Sequence, residues 1–107
     1  MIECRISING NSFQLLASGH AHYADPGKDI VCAAFSTATN LLMNFGRRCK
    51  DEGLIKGFIA QDEGDFFHIF IDTAGVPAVV AMVDSFYLLL SDLAEQYPQN
   101  VFIDLLK

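Results

Sequence analysis

A cysteine and two histidines lie near one another along this chain and could form a catalytic pair. His20 and His22 fall in the segment that leads directly to Cys32. A thiolate is a strong nucleophile, and an imidazole within hydrogen-bond reach can accept its proton and later return it. A Cys–His pair is therefore the minimal arrangement for peptide hydrolysis by a thiol. The spacing alone leaves open which histidine would act as the base.

The position of Cys32 in a predicted helix favours a reactive thiol. Residues 29–50 are predicted to be helical, with Asp29 as the N-cap, because apolar side chains recur there at helical spacing. The stripe comprises Ile30, Val31, Ala34, Phe35, Ala38, Leu41, Leu42 and Phe45. At about 100° per residue, Cys32 lies roughly 120° from the centre of this stripe. Its side of the helix also carries Ser36, Thr39 and Asn40. Because the first helical turn favours negative charge, Cys32 is the candidate nucleophile. The alternative is a half-buried thiol packed under the preceding loop.

The other two cysteines and the third histidine are interpreted as structural. Cys4 lies on the apolar face of the first predicted strand, and Cys49 falls in register with the buried stripe of the helix. His68 shares a strand face with Phe66 and Phe70. We therefore expect none of these three side chains to take part in chemistry.

Metal-binding patterns are not found in the sequence. The chain has no C-x-x-C or H-x-x-x-H, and His20-x-His22 is a poor ligand pair without a third partner nearby. We therefore expect no metal site and no cofactor.

The order of predicted elements is ββαββαβ, typical of an α+β domain in which two helices cover one face of a largely antiparallel or mixed sheet. Strands are predicted at residues 1–8, 12–18, 53–61, 66–72 and 101–105, helices at 29–50 and 75–96, and a loop at 19–28. Asn9-Gly10 predicts a hairpin turn between the first two strands. All 107 residues are assigned to a single domain.

Composition favours a soluble protein of the reducing cytosol. The formal net charge is -6, which disfavours binding to phosphate backbones, so no direct nucleic-acid partner is expected. An odd number of cysteines does not indicate a disulfide framework. No basic region precedes an apolar stretch, so no signal peptide is expected. The most apolar segment, residues 76–90, is interrupted by Pro77, Asp84 and Ser85, and no membrane association is expected.

The segment at residues 18–34, SGHAHYADPGKDIVCAA, resembles the signature of the ribosomal-processing cysteine protease family, often called Prp. That signature is Gly-His-Ala, a short loop with glycine, and then Asp-x-Val-Cys-Ala-Ala. Both halves and the gap between them match. The resemblance extends along the chain to Leu-Ala-Glu-Gln-Tyr-Pro at residues 93–98.

This resemblance implies a cysteine endopeptidase that removes a short N-terminal extension from the large-subunit ribosomal protein L-twenty-seven. It also implies a homodimer that uses no cofactor. Cys32 corresponds to the nucleophile of the family. His20, rather than His22, occupies the Gly-His-Ala position and so corresponds to the general base.

The resemblance also implies supporting residues around the pair. Gly19 would give the loop freedom to open, and Asp29 and Ser36 fall on family positions that support the site. Asp29 would either orient the histidine or only cap the helix. Phe35 replaces a small aliphatic residue of many relatives, for which we expect a change in packing only. Backbone N–H groups around Cys32 would supply oxyanion donors.

Two other functions remain open from the sequence. One is a ribosome-associated binding module that keeps the fold without proteolysis. The other is a thiol-redox protein, although Cys32 has no C-x-x-C partner and no obvious resolving cysteine.

Overall fold

The computed structural model describes residues 1–22, 24–25 and 29–106. The elements follow one another as β1 (Ile2–Asn9), β2 (Ser12–Ser18), α1 (Ile30–Asp51), β3 (Gly57–Asp62), β4 (Phe66–Asp72), α2 (Pro77–Gln96) and β5 (Val101–Leu106). The predicted α+β class and the order ββαββαβ are confirmed. Of the predicted loop at residues 19–28, residues 23 and 26–28 lie outside the described residues, and the others belong to neither a helix nor a strand.

The strands form one mixed sheet in the order β3-β4-β2-β1-β5. All neighbouring pairs are antiparallel except β1 and β5, which are parallel. The pairing of β2 with β4 joins segments far apart in sequence and sets Ser18 opposite Phe66. This register brings the end of β2 beside the turn between β3 and β4.

One face of the sheet forms the core with the two helices, and the other face is open. Alternate strand residues are buried, as a half-covered sheet requires. The buried strand side chains are Ile2, Cys4, Ile6, Phe13, Leu15, Ala17, Phe67, Ile69, Ile71 and Val101. Their counterparts on the open face include Glu3, Arg5, Phe66 and Phe102, all exposed.

Local side-chain contacts explain where the first hairpin and the first helix begin. The Asn9 side chain accepts hydrogen bonds from the N–H groups of Asn11 and Ser12, which closes the predicted hairpin turn. Asp29 caps α1 as predicted, by accepting from the N–H groups of Val31 and Cys32.

The predicted strand at residues 53–61 was wrong at its start, because β3 begins only at Gly57. The chain after α1 first closes the helix with a Schellman motif. In it, Gly53 and Leu54 donate their N–H groups to the carbonyls of Lys50 and Cys49. Gly53 and Leu54 belong to the helix end, so they do not adopt the extended backbone conformation of a strand.

The predicted apolar stripe of α1 is only partly buried. Val31, Ala38 and Leu42 lie in the core, whereas Ile30 and Leu41 are more than half exposed. Ala34 is also exposed. The apolar side chains cover a wider arc than the sheet and α2 can contact, so the outer part of the stripe faces away from the core.

Helix α2 packs on the sheet through Val79, Val83, Phe86 and Leu90. It is long and apolar enough to cross a membrane. Helices that pack on a core often have the same composition, so this property does not by itself assign α2 to a bilayer.

A glycine in the middle of α1 lets the helix approach β3 closely. Gly46 is buried, and a Cβ atom there would overlap the ring of Phe58. Only glycine fits at this position without displacing the ring of Phe58, although glycine is a poor helix former.

We predict that Gly46→Ala lowers the free energy of unfolding by about 1–2 kcal/mol, measured by urea denaturation. Alanine normally gains about 1 kcal/mol over glycine within a helix, so a loss would have to come from the overlap. In a Phe58→Leu background the same change should be neutral or stabilising. Stabilisation by Gly46→Ala in the wild-type background would contradict this account.

Candidate active site

The first turn of α1 borders a cavity of about 310 Å³, and His20 also lines this cavity. Cys32 is half-buried in the wall of this cavity. Apolar walls come from Ile2, Ala17, Phe35 and Phe67, and polar or charged edges from Ser18, Ser36, Thr39, Asn40, Asp62 and Asp65. The fold thus brings the predicted nucleophile and the predicted base to one opening.

The loop after β2 folds over the sulfur of Cys32. The backbone N–H of Ala21 donates a hydrogen bond to Cys32 Sγ at 3.3 Å, and the Ala21 side chain is buried. The carbonyl of the same residue accepts a hydrogen bond of 2.8 Å from Asn100 Nδ2. Ala21 is therefore fixed on both sides of its Cα, and its N–H faces the sulfur. A donor in this position stabilises a thiolate.

Asp29 holds the helix start that carries the nucleophile. One carboxylate oxygen, Oδ1, accepts from the N–H groups of Val31 and Cys32, each at 3.0 Å. The other, Oδ2, accepts from the N–H of Ala24 at 3.5 Å. The capping role of Asp29 is thus shown, and a role in orienting His20 stays a prediction. The N–H groups of Val31 and Cys32 are engaged by this cap, so neither is free to donate to an oxyanion in this structure.

The two loop histidines occupy different positions relative to the sulfur. His20 borders the cavity described above and also a second one of about 490 Å³, and Cys32 borders both. His22 borders only the second cavity. The two imidazoles meet edge to face, with 6.0 Å between ring centroids. In the part of the chain that the structure describes, no hydrogen bond joins His20 to Sγ, and catalytic pairs often close only with substrate bound.

Gly19 is fixed by its surroundings. Its φ is +88°, and a Cβ atom there would collide with the carbonyl oxygen of Met1. Its N–H donates to the carbonyl of Asp65 at 2.9 Å. The sequence led us to expect a glycine that frees the loop, whereas the structure gives another reason for glycine: a close approach of three backbone segments.

Ser36 and Phe35 lie one turn after the nucleophile. Ser36 borders both cavities, and its carbonyl accepts a hydrogen bond from the buried hydroxyl of Thr39 at 3.1 Å. Phe35 is half-buried, packs against the core and also forms part of the cavity wall. Phe35 therefore contributes to the cavity surface as well as to the core, and the expected change in packing relative to relatives stays a prediction.

The remaining cysteines and His68 lie away from this cavity, as interpreted from the sequence. Burial raises the pKa of the Cys4 thiol to about 12. Burial also raises the pKa of Cys49, and the negative charge of Glu52 adds to the effect. His68 lies on the open face of the sheet, with its ring nitrogens 3.4 Å from Gln61 Oε1 and 3.3 Å from Gln14 Oε1.

Metal ligation finds no support at this site. Among residues 1–22, 24–25 and 29–106, no group of three or more His, Cys, Asp or Glu side chains is arranged to hold an ion.

Several parts of the site could not be found from the sequence. Asn100 reaches the loop from the junction of α2 and β5, and Asp65 reaches it from the β3–β4 turn. Both contacts depend on strand pairings between distant segments. Only the register of β2 with β4, and of β1 with β5, could have indicated them.

The chain matches a known protein family and resembles several solved structures. The family model for cysteine protease Prp matches residues 1–102. A crystal structure of the essential ribosomal processing protease Prp from S. aureus, in complex with a covalently linked product peptide, is similar with a TM-score of 0.76. It is 23% identical, and the alignment covers 99% of this chain and 100% of that one. The same protease in complex with a substrate peptide gives a TM-score of 0.71 at 22% identity, with 99% and 100% covered.

A third similar structure is that of SMU.848 from Streptococcus mutans, with a TM-score of 0.67 and 28% identity. The alignment covers 99% of this chain and 94% of that one. No curated protein sequence matches the chain. The two S. aureus structures, both under 25% identical, establish a common fold over almost the whole length.

We predict that a small thiol reagent such as iodoacetamide labels the folded protein at Cys32 alone. The other two thiols are buried and have raised pKa values, so little thiolate forms there at neutral pH. Intact-mass spectrometry should show one adduct, and Cys32→Ser should show none at the same exposure. A second rapid adduct under native conditions would contradict the division into one accessible and two buried thiols.

Proposed function

Because the chain belongs to the cysteine protease Prp family, we propose that it removes the N-terminal extension of the large-subunit ribosomal protein L-twenty-seven through a Cys32–His20 dyad. The observation that carries this proposal is the cavity shared by the two side chains at the N-terminus of α1. The structural neighbours from S. aureus are ribosomal processing proteases with bound peptides, which supports a ribosomal protein substrate.

The proposed reaction is acyl transfer in two halves. His20 takes the proton of the Cys32 thiol, and the thiolate attacks the scissile carbonyl carbon to form a tetrahedral intermediate. His20 then gives its proton to the leaving amine, and an acyl-enzyme thioester remains. Water, deprotonated by His20, attacks the thioester carbonyl, and the departing sulfur recovers its proton. The new carboxyl end of the extension is released.

Two polar features next to Cys32 support the formation of its thiolate. The dipole of α1 favours a negative sulfur near the start of the helix, and the N–H of Ala21 already points at the sulfur. Neither contribution needs a cofactor or a metal ion.

The acidic character of the protein suits a basic substrate. The net charge is -6, and Asp62 and Asp65 border the cavity. A positively charged precursor would be attracted to this opening, and added salt would weaken the attraction.

We further propose that the enzyme works in the cytoplasm as a homodimer and binds no nucleic acid directly. Exposed leucines on the helices support the dimer. Leu41, Leu88 and Leu89 are each more than half exposed, and a second copy would remove them from water. Sedimentation equilibrium tests the stoichiometry.

We predict that Cys32→Ala abolishes cleavage of the precursor while the protein stays folded, because the side chain is only partly in the core. Mass spectrometry of the incubated precursor should show the truncated product with the wild-type enzyme and none with the variant. Cys4→Ala is the matched control. It should keep turnover and lose about 1 kcal/mol of stability.

Cleavage at the normal rate by Cys32→Ala would disprove the nucleophile. A wild-type protein that binds the precursor without cutting it would favour the ribosome-associated binding module instead.

We predict that His20→Ala removes activity and that His22→Ala reduces it modestly or not at all. Of these two histidines, His20 borders both cavities that meet at Cys32, whereas His22 borders one. The loss expected for a general base is about 10²–10⁴-fold in kcat. Equal and complete loss in both variants would leave the base unassigned, and full activity of His20→Ala would contradict the dyad.

A further inference from the structure

Asn100 contacts the active-site loop from a part of the chain that the sequence analysis did not connect with it. Its side-chain Nδ2 donates to the carbonyl of Ala21 at 2.8 Å, across 79 residues of sequence. Ala21 follows His20 directly and donates its own N–H to Cys32 Sγ. One side chain is therefore linked, through a single residue, to both members of the proposed dyad.

The backbone of Asn100 is itself firmly held. Its N–H donates to the carbonyl of Tyr97 at the end of α2, and its carbonyl accepts from the N–H of Ile2 in β1, at 2.9 and 2.8 Å. Asn100 thus belongs to the rigid junction of α2, β5 and β1. The hydrogen bond from its side chain therefore keeps the loop at a fixed position relative to the sheet.

The loop has few other fixed points among its described residues. Gly19 is bound to Asp65 by a 2.9 Å hydrogen bond, and Ala24 reaches Asp29 only at 3.5 Å. Between these two points, Ala21 is held by its buried methyl group, the sulfur of Cys32 and the amide of Asn100. Loss of the Asn100 donor would leave the Ala21 carbonyl without this partner and free the peptide unit between Ala21 and His22 to turn, which would loosen the backbone at Ala21.

We propose that Asn100 is a positioning residue for the reaction: by binding the Ala21 carbonyl it holds the backbone on both sides of the Ala21 Cα, so that the Ala21 N–H faces the sulfur and His20 stays at the cavity. This inference rests on the proposed function of the Cys32–His20 pair. Asn100 makes no contact with reacting atoms and acts through Ala21. Its donor group, rather than its size, carries the effect.

Asn100→Asp and Asn100→Ala test the proposal. Aspartate keeps the shape but presents carboxylate oxygens, which cannot donate to a carbonyl, and alanine removes the group. For both, kcat on the precursor should fall about tenfold or more, because small misplacements of catalytic groups are costly. KM should stay within about threefold, because Asn100 lines neither of the two cavities that Cys32 borders. Gln99→Ala, at the exposed neighbouring position, is the control and should behave as wild type.

Hydrogen exchange at the Ala21 amide, followed by NMR in the free protein, provides a readout that does not depend on the substrate. It should be about fivefold faster or more in both Asn100 variants, and unchanged in Gln99→Ala. Thermal unfolding shows whether each variant is folded at the assay temperature.

A purely structural role would lower the unfolding midpoint while leaving the kcat of the folded Asn100→Asp protein unchanged, and that result would overturn the proposal. Unchanged exchange at Ala21 in Asn100→Ala would overturn it as well. If the wild-type protein leaves the precursor uncut, the proposed function fails, and exchange at Ala21 still decides whether Asn100 anchors the loop.

Discussion

The site depends on the path of the backbone at Gly19. Three segments meet there: the end of β2, the N-terminal residue Met1 and the β3–β4 turn at Asp65. They approach so closely that no side chain fits, and the left-handed φ directs the chain across the start of α1. This turn places Ala21 in the core and its N–H at the sulfur of Cys32. The cavity, the position of His20 and the environment of the thiol all follow from it.

The three cysteines show how one fold gives the same side chain opposite properties. Cys4 and Cys49 point into the core, where desolvation raises their pKa values and keeps them neutral. Cys32 directly follows the buried Val31, but it lies in the first turn of the helix and its sulfur accepts a hydrogen bond from a backbone N–H. Burial and polar contacts, rather than the thiol group itself, separate the structural cysteines from the candidate nucleophile.

Local patterns in the sequence predicted most of the fold. The alternation in β1, the turn at Asn9 and the N-cap at Asp29 involve residues a few positions apart, and each was confirmed. The start of β3 was missed because a helix end and a strand start compete for the same residues. The exposure of Leu41 was missed because helical spacing identifies an apolar side but not how much of it a neighbour covers. The contact of Asn100 with Ala21 needs the parallel pairing of β1 with β5, which no local pattern contains.

The span of 79 residues between Ala21 and Asn100 has a consequence for the time at which the site is completed. During synthesis, the segment with the histidines and Cys32 emerges well before α2 and the junction that follows it. Non-local strand pairs also form late, because a long loop must close before they gain any contact. With Asn100 as the proposed anchor, the loop would reach its working position only after β5 has paired with β1. A partly made chain would carry the thiol and the imidazole but not the Asn100 donor. On this proposal the chain becomes competent for cleavage only once β5 is in place.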